Sequence, residues 1–278
     1  MSDFLEFAKS YGLTIRHLRT GKLSRCATID HPTKRNGSYA FHGDWGWLVN
    51  WETPLGTLVW QDKYRARSPE EQADLRRRIK EEKERHAKER ARLAEAAAKK
   101  AVKILSECAL STHPYLARKG FPKMLGNVLK EEDGELLVIP MYYGDRLCGC
   151  QKIGEEKRFL YGQRTLDAYF RIGNGKRKFI CEGAASGYSL QEILASLKIP
   201  YSVFVSFSAN NAVRLAKTHQ DAFFIADNDE SQTGQKAAEA SGLPWWMPEP
   251  VGFDINDLRV TRGLFECREI LRKALARG

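Results

Sequence analysis

The spacing of hydrophobic residues changes several times along the chain, and each spacing predicts a different element. Apolar side chains recur at helical spacing over residues 3–11, which predicts a short amphipathic helix that covers a following sheet. Large rings then alternate with small or polar residues over 39–51, as in half-buried strands, and Asn36-Gly37 and Gly43-Asp44 supply turn chemistry. Residues 1–67 are therefore predicted to form a small β-rich module.

Residues 68–107 are rich in Ala, Glu, Lys and Arg, and they contain no glycine and no proline after Pro69. These are strong helix formers, and Ser68 is placed to cap a helix that begins at Pro69. The first part of this segment is polar on every face, so we expect one long helix, or two in series, that bridges two globular parts through solvent. Alternating charges along it favour a solvated linker over a contact with DNA.

Beyond residue 107, short apolar segments predict strands, and after residue 176 these alternate with helical segments. Such alternation predicts an α/β fold with a parallel sheet whose functional site lies at the carboxyl ends of the strands. We expect residues 108–175 to form a small α+β subdomain and residues 176–278 to form the α/β domain. The predicted strands are 136–140, 146–153, 158–161, 179–181, 201–206 and 222–226, and the predicted helices are 183–197 and 210–219.

Two of the predicted strands end in acidic residues. Glu182 directly follows the strand at 179–181, and Asp227-Asn228-Asp229 follows the strand at 222–226. Because the carboxyl ends of parallel strands meet at one edge of a sheet, these carboxylates are expected to gather there as oxygen ligands for a divalent cation. The small residues after Glu182 admit close approach of a ligand, and the following helix N-terminus favours phosphate oxygens. The pattern points to metal-dependent phosphoryl chemistry.

The composition and net charge of the chain indicate the kind of partner that it binds. With 42% apolar and 29% charged residues, the 278-residue chain can bury a core and is expected to divide into two globular parts. The formal net charge of +10, together with the candidate metal carboxylates, points to nucleic acid as the partner. The N-terminus lacks the features of a signal peptide, and no apolar run approaches the ~18 residues of a membrane span. We therefore expect a cytoplasmic protein without membrane contact.

Two motifs that are absent from the sequence reduce the number of possible site types further. The six cysteines are scattered without a C-x-x-C pair, so the sequence predicts reduced thiols instead of disulfides or a four-ligand zinc site. The sequence contains no G-x-x-x-x-G-K-[ST] loop, the phosphate-binding motif of many nucleoside triphosphatases, so helicase activity is not expected of this chain. If the protein acts on DNA, a partner must unwind the double helix. The cysteines are Cys26, Cys108, Cys148, Cys150, Cys181 and Cys267.

The two acidic motifs, Glu182-Gly183 and Asp227-Asn228-Asp229, resemble those of the Toprim domain, the metal-binding fold shared by bacterial-type primases, topoisomerases and some nucleases. Further segments follow the order seen in Toprim primases of phages and mobile elements, and the resemblance extends roughly from Ser111 to the C-terminus. These segments are HPYLARKG (113–120), LLVIPMYYGDRLCGCQKIG (136–154), KRFLYG (157–162) and FDINDL (253–258).

This resemblance implies a Toprim-type parallel sheet flanked by helices over residues 176–278, preceded by a basic subdomain over 108–175 that grips nucleic acid and incoming nucleotide. It implies a DNA primase, a DNA-dependent RNA polymerase that makes short RNA primers on single-stranded DNA. The reaction would be a two-metal nucleotidyl transfer with Mg²⁺ or Mn²⁺ during replication of a phage, plasmid or mobile element. The implied partners are single-stranded DNA, nucleoside triphosphates and a replicative helicase.

The resemblance also assigns roles to individual residues. Glu182, Asp227 and Asp229 would be catalytic and would hold the metals. Asp254 and Asp257 would complete the acidic pocket. The candidates for binding nucleotide or DNA in the basic subdomain are Lys152, Lys157, Arg158 and Arg171.

Primases of this kind commonly begin with a zinc ribbon, and residues 1–67 occupy its place. The only plausible ligands there are Cys26, His31 and His42, whose spacing does not provide the paired turns that tetrahedral zinc needs, so no zinc is expected. The module resembles a metal-free ribbon with an aromatic core, most of whose tryptophans are expected to be buried. Its candidate contacts to template phosphates are Arg25, Lys34 and Arg35.

Other functions are compatible with the same motifs. A Toprim nuclease would use the same carboxylates to hydrolyse DNA, although the basic subdomain before Glu182 is typical of primases. A topoisomerase is disfavoured because the chain is short and shows no additional domain with a tyrosine nucleophile. From a different class, a non-catalytic protein that binds single-stranded DNA and acts as a replisome adaptor would keep the fold without turnover.

Overall fold

The computed structural model describes residues 3–53, 55–63, 67–132 and 134–277. The chain divides into two compact units, Met1–Glu84 and Arg85–Gly278. The boundary falls inside a 39-residue helix, so each unit contains one part of that helix. As predicted, the protein contains both helices and sheets in a mixed α/β arrangement.

The first unit is built on an antiparallel five-stranded sheet whose strands are ordered as in the sequence. A helix covers one face: the ring of Phe4, which is fully buried, lies 5.0 Å from that of Phe41 and 6.0 Å from that of Tyr39, measured between centroids. The predicted role of the N-terminal helix is thus confirmed. The elements are α1 (Asp3–Ser10), β1 (Leu13–Thr14), β2 (Ser24–Thr28), β3 (Gly37–Phe41), β4 (Trp45–Asn50) and β5 (Thr57–Gln61).

The first part of helix α2 (Pro69–Glu107) packs against Trp45 of the sheet through Leu75 and Ile79. The sequence-based expectation that this part is polar on every face is therefore wrong, because two apolar residues at i and i+4 suffice to form a narrow buried stripe. That the helix bridges two globular parts through solvent remains a prediction. The predicted cap is confirmed: Oγ of Ser68 accepts from the backbone N–H of Glu71 at 3.2 Å, and Oε2 of Glu71 accepts from the backbone N–H of Ser68 at 2.8 Å.

The predicted turn at Asn36-Gly37 is also wrong, since Gly37 is the first residue of β3. A Cβ atom at Gly37 would lie 2.4 Å from Cδ2 of Leu13 and 2.9 Å from Sγ of Cys26. The glycine is thus explained by close packing inside the sheet. The second predicted turn is present: Gly43, with φ +91°, lies between β3 and β4.

The second unit begins with another antiparallel five-stranded sheet, whose strands are also ordered as in the sequence. One face, with Val138 and Cys150, packs on Ala101 near the end of α2. The other face, with Ile139 and Ile153, packs on a short helix. The elements are β6 (Ala109–Ser111), α3 (Pro114–Arg118), β7 (Gly126–Glu131), β8 (Gly134–Tyr143), β9 (Arg146–Ile153) and β10 (Lys157–Phe159).

A third sheet has five strands, which lie across the sheet in the order Phe170–Ile172, Tyr201–Val205, Arg177–Cys181, Phe223–Ile225 and Trp245–Trp246. The last four are parallel to one another, and the first is antiparallel to its neighbour. Alternate residues of its strands contribute to two apolar clusters, which hold α4 and α7 on one face and α5 and α6 on the other. The elements are β11 (Phe170–Ile172), β12 (Arg177–Cys181), α4 (Ala184–Ser196), β13 (Tyr201–Val205), α5 (Ala209–Thr218), β14 (Phe223–Ile225), α6 (Thr233–Ser241), β15 (Trp245–Trp246) and α7 (Ile255–Leu275).

Strands β12, β13 and β14 and helices α4 and α5 lie where the sequence predicts them, within a few residues. Strands β11 and β15 and helices α6 and α7 were not predicted. Within α7, Gly263 has φ 78° and ψ 166°, so the helix is interrupted there. In the part of the chain that the structure describes, no helix has the length and apolar character needed to cross a membrane.

Candidate active site

Glu182 directly follows β12, at the carboxyl edge of the parallel strands. Its backbone carbonyl accepts a hydrogen bond from the N–H of Phe207 at 2.9 Å, which ties it to the end of β13. Burial, followed by the negative charge of Asp229, raises the pKa of the Glu182 carboxyl, while the charge of Lys157 opposes that shift. A proton or a cation at this carboxylate would therefore relieve an unfavourable buried charge.

Asp227 follows β14 at the same edge. Burial raises the pKa of its carboxyl to about 8, with further increases from nearby acidic groups, of which Glu182 is the largest. Among the described residues, none forms a hydrogen bond with the buried Oδ1 of Asp227. The start of α6 also approaches closely, since a Cβ at Gly234 would lie 2.1 Å from the carbonyl oxygen of Asp227. Asp227 is thus a confined carboxylate with an unused acceptor atom.

Asp229 has a different environment, because its carboxylate binds the first turn of α6. Oδ1 accepts from the N–H of Thr233 at 3.1 Å and from the hydroxyl of Ser231, and Oδ2 accepts from the N–H of Gly234 at 2.9 Å. Burial acts to raise the pKa of Asp229, but these hydrogen bonds outweigh it and the pKa is lowered. Asp229 is therefore held as an anion at a helix N-terminus, close enough to Glu182 to affect its pKa.

Asp254 and Asp257 form a capping box at the start of α7. Oδ1 of Asp254 accepts from the N–H of Asp257 at 2.8 Å, and Oδ2 of Asp257 accepts from the N–H of Asp254 at 3.2 Å. The remaining oxygens bind elsewhere: Ser186 donates to Oδ2 of Asp254 at 3.2 Å, and Nζ of Lys119 donates to Oδ1 of Asp257 at 3.4 Å. These two residues thus have a structural role beside the acidic edge, with Asp254 also contributing to the raised pKa of Asp227.

Taken together, the five carboxylates differ in their availability to a metal. In the described ranges, no three His, Cys, Asp or Glu side chains already form a group that can hold a metal ion. The donor chemistry nevertheless fits Mg²⁺ or Mn²⁺, which prefer carboxylate oxygens. The unused Oδ1 of Asp227 and the raised pKa of Glu182 mark these two side chains as the ones that a cation would stabilise most. The other three carboxylates are occupied by hydrogen bonds to the backbone.

A cleft of about 610 Å³ adjoins this acidic edge through Asp257. Three cations, Arg118, Lys119 and Lys157, and two carboxylates, Glu155 and Asp257, line it, and Nζ of Lys157 lies 5.6 Å from the ring centroid of Tyr115. The volume lies in the range of small-molecule and cofactor sites. Positive charge in a cleft beside carboxylates suits a ligand that carries phosphates and binds together with a divalent cation.

The basic residues proposed from the sequence as nucleotide or DNA contacts do not all lie on the same face of the sheet. Lys157 pairs with Ile153, whose face packs on α3 and lies toward the cleft, whereas Arg158 pairs with Lys152 on the opposite face. Lys152 donates to Oε1 of Glu131 at 3.0 Å, and Arg158 binds Glu156. Arg171 is an exposed residue of β11. Of these four residues, only Lys157 lines the cleft.

In the first unit, the guanidinium of Arg25 lies 3.5 Å from the ring centroid of Trp51, which is 50% exposed. Lys34 and Arg35 are exposed on the segment before β3. Of the four tryptophans of this module, Trp45 is buried, Trp47 and Trp60 are half-buried against apolar clusters, and Trp51 is exposed, so the expectation that most are buried holds fully only for Trp45. The two predictions for this module, phosphate contacts and the absence of zinc, remain predictions.

Sequence reasoning missed three residues of the site. Two of them, Arg118 and Lys119, line the cleft beside the acidic edge. The third, Ser186, donates a hydrogen bond to Asp254 at the N-cap of α7. Lys119 and Arg118 belong to the segment HPYLARKG, whose basic end was a usable signal for a phosphate contact. Ser186 sits in the first turn of α4, and nothing in its local sequence distinguishes it from any other small residue there.

No protein-family model and no curated protein matches the chain. Among solved structures, the chain is similar to the crystal structure of a DNA primase domain from Pseudomonas aeruginosa, with 16% sequence identity and a TM-score of 0.32. The match covers 51% of this chain and 55% of that chain, so the chain spans about half the length of that structure. Similarity at this level supports no conclusion about fold or activity, and the functional interpretation depends on the residues of the site.

Proposed function

We propose that this protein is a Toprim-type DNA primase, which makes short RNA primers on single-stranded DNA by metal-dependent nucleotidyl transfer. One observation carries the proposal: Asp227, with a pKa raised to about 8 and an unused buried Oδ1, lies beside Glu182 at the carboxyl edge of parallel strands. The raised pKa shows that negative charge is unfavourable at this edge, and a divalent cation would displace the proton from Asp227 and neutralise the carboxylates. The order of the sequence motifs supports the same family.

In this proposal Glu182 and Asp227 hold Mg²⁺ or Mn²⁺ directly, while Asp229, which accepts hydrogen bonds from the start of α6, adds a third negative charge beside them. When bound, the ions would activate the attacking 3′-oxygen and stabilise the leaving oxygen of an in-line displacement. The chain's own residues position the substrates. Lys157 and Lys119 would attract the triphosphate into the cleft, since both side chains line it. Asp257 holds Lys119 by an ion pair at 3.4 Å.

We also propose roles in this reaction for the other parts of the chain. The mixed sheet of β11 to β15 would be the Toprim sheet, and the antiparallel sheet of β6 to β10 the basic subdomain. The first unit would contact the template without zinc, with Arg25, Lys34 and Arg35 near phosphates. A separate replicative helicase would open the duplex, and the setting would be the replication of a phage, plasmid or related mobile element.

The test is primer synthesis on single-stranded DNA with four labelled ribonucleoside triphosphates and Mg²⁺ or Mn²⁺, resolved on a denaturing gel. We expect short oligoribonucleotides from the wild type and none from Glu182→Gln or Asp227→Asn. Asp221→Asn is the matched control, because Asp221 is 62% exposed and pairs with Lys178 at 2.9 Å, away from the acidic edge.

Three results would contradict the proposal. Synthesis that persists in both site variants would exclude these carboxylates from catalysis. Template shortening without synthesis would identify a nuclease. Tight binding of an unchanged template with no product would identify a non-catalytic adaptor.

A further inference from the structure

An aromatic pair lies next to the acidic edge and has no part in the nucleotidyl transfer described above. Phe159 on β10 is 43% exposed, and its ring lies 6.0 Å from that of Phe207, with an interplanar angle of 84°. Phe207 follows β13, the strand that pairs with β12 before Glu182. The Phe159 ring therefore presents part of its apolar surface to solvent beside the acidic edge.

Phe207 is held rigidly. Its φ of +65° is in the left-handed region, which is costly for a residue with a bulky side chain. Its N–H donates to the carbonyl of Glu182 at 2.9 Å, and its ring packs against the apolar clusters that include Met141 and Ala184. The chain thus keeps a strained backbone at the sheet edge, and that backbone fixes the ring on which Phe159 rests edge-on.

Phe159 and Lys157 are two residues apart on β10, so their side chains leave the same face of the strand. Lys157 lines the cationic cleft and is close enough to Glu182 to affect its pKa. Arg158, between them, points to the other face and binds Glu156. A cation and an exposed ring therefore stand side by side next to the acidic edge, the combination that single-stranded nucleic acid uses for its phosphates and its bases.

We propose that Phe159, supported by Phe207, stacks on an unpaired base of the single-stranded template at the active site. The inference rests on the proposed function for the identity of the polymer. Stacking on a ring requires no particular base, so this contact would hold the template without sequence preference. Phe159 is a positioning residue in this scheme, because it aligns the strand and touches no reacting atom.

The experiment measures the binding of fluorescein-labelled oligo(dT) by anisotropy, at one fixed salt concentration, for the full chain and four variants. Phe159→Ala and Phe159→Leu should each weaken binding at least ~5-fold, the loss expected when one stacked base is released. Phe159→Tyr should bind like the wild type, because it keeps the ring. Phe265→Ala is the matched control, since Phe265 is 71% exposed on α7 and stacks with Arg268 instead.

Two further readouts separate stacking from other effects. Binding of a labelled ribonucleoside triphosphate should be unchanged in Phe159→Ala, because the proposed contact is to the template; a loss confined to the triphosphate would overturn the assignment. An oligonucleotide with 5-iodouracil should photocrosslink to the peptide that contains Phe159 in the wild type. Thermal melting of each variant should show it fully folded at the assay temperature, although Phe159→Ala loses the ring contact with Phe207.

Failure of this inference differs from failure of the proposed function. Wild-type affinity in both Phe159→Ala and Phe159→Leu would overturn the stacking role, even if primers are made. A chain that makes no primers but loses oligonucleotide affinity in these two variants would keep the stacking role and lose the primase assignment. A wild type that binds no oligonucleotide would overturn the inference directly.

Discussion

Ser186 donates a hydrogen bond from Oγ to Oδ2 of Asp254 at 3.2 Å, which joins the first turn of α4 to the N-cap of α7. Glu182 lies two residues before α4, and Asp254 contributes to the raised pKa of Asp227. The helix cap and the acidic edge are thus parts of one hydrogen-bonded and electrostatic cluster. A substitution at Asp254 will therefore affect stability and charge at the same time, and the two effects can be separated.

The first prediction separates them at Asp254. Asp254→Ala removes the cap, so the free energy of unfolding in urea should fall by about 1 kcal/mol. Asp254→Asn keeps an acceptor that is equally favoured at an N-cap and removes a buried charge that repels Asp227, so it should equal or exceed the wild type in stability. Equal losses in both variants would show that the charge, and not the cap, stabilises this helix start.

The second prediction concerns the divalent cation. Mg²⁺ should raise the melting temperature of the wild type, because it neutralises the confined carboxylates of Glu182 and Asp227. Asp227→Asn should melt higher than the wild type without Mg²⁺, since it removes a carboxyl whose raised pKa destabilises the folded state at neutral pH, and should gain less when Mg²⁺ is added. An equal gain in wild type and Asp227→Asn, measured by scanning calorimetry, would place the bound cation elsewhere. Asp221→Asn again serves as the control.

The third prediction is a pH dependence that arises at His219, whose ring stacks on Phe204 with centroids 4.2 Å apart. Burial, followed by the charge of Lys178, lowers the pKa of His219 below its usual 6.5, while Asp221 opposes the shift. The unfolded chain therefore takes up this proton at a higher pH than the folded chain. The stabilisation is complete above about pH 6.5 and is lost as the pH falls through the folded pKa.

Urea unfolding at pH 7.5 and at pH 5 measures this effect. The wild type should lose more stability between the two values than His219→Gln, which has no group to titrate there. His219→Gln should also be less stable at pH 7.5, because it loses the stacked ring. Parallel losses in the two proteins would show that His219 does not contribute to the pH dependence.

The fourth prediction tests the stripe that α2 presents to the first unit. Leu75 is 4% exposed and packs with Trp45, so Leu75→Ala should lower the free energy of unfolding of that unit by about 2–5 kcal/mol. Val102→Ala, on an exposed position of the same helix, is the control and should change stability by less than about 0.5 kcal/mol. Unfolding followed by tryptophan fluorescence measures this, because four of the six tryptophans, including Trp45, belong to the first unit. A wild-type midpoint for Leu75→Ala would show that the stripe is not needed.

The acidic edge was accessible to sequence reasoning because an apolar strand that ends in an acidic residue is a local pattern, and β12 and β14 both show it. The capping box of Asp254 and Asp257 was also a local pattern, since acidic residues occupy the N-cap and the third helical position, but the helix itself was not predicted. The ion pair of Lys119 and Asp257 joins residues 138 positions apart, which no local pattern reveals. The faces of Lys157 and Arg158 follow from strand alternation only once the pairing of β9 and β10 is known.

Helix α2 contributes Leu75 and Ile79 to one core and Ala97, Ala101 and Ile104 to another. Between Lys80 and Arg92 every side chain is at least partly exposed. A crossover of genes within this stretch would preserve both buried interfaces, provided that the helix stays continuous. The middle of α2 is thus a position at which evolution, or an experimenter, can exchange the first unit while the second unit retains its own folding determinants.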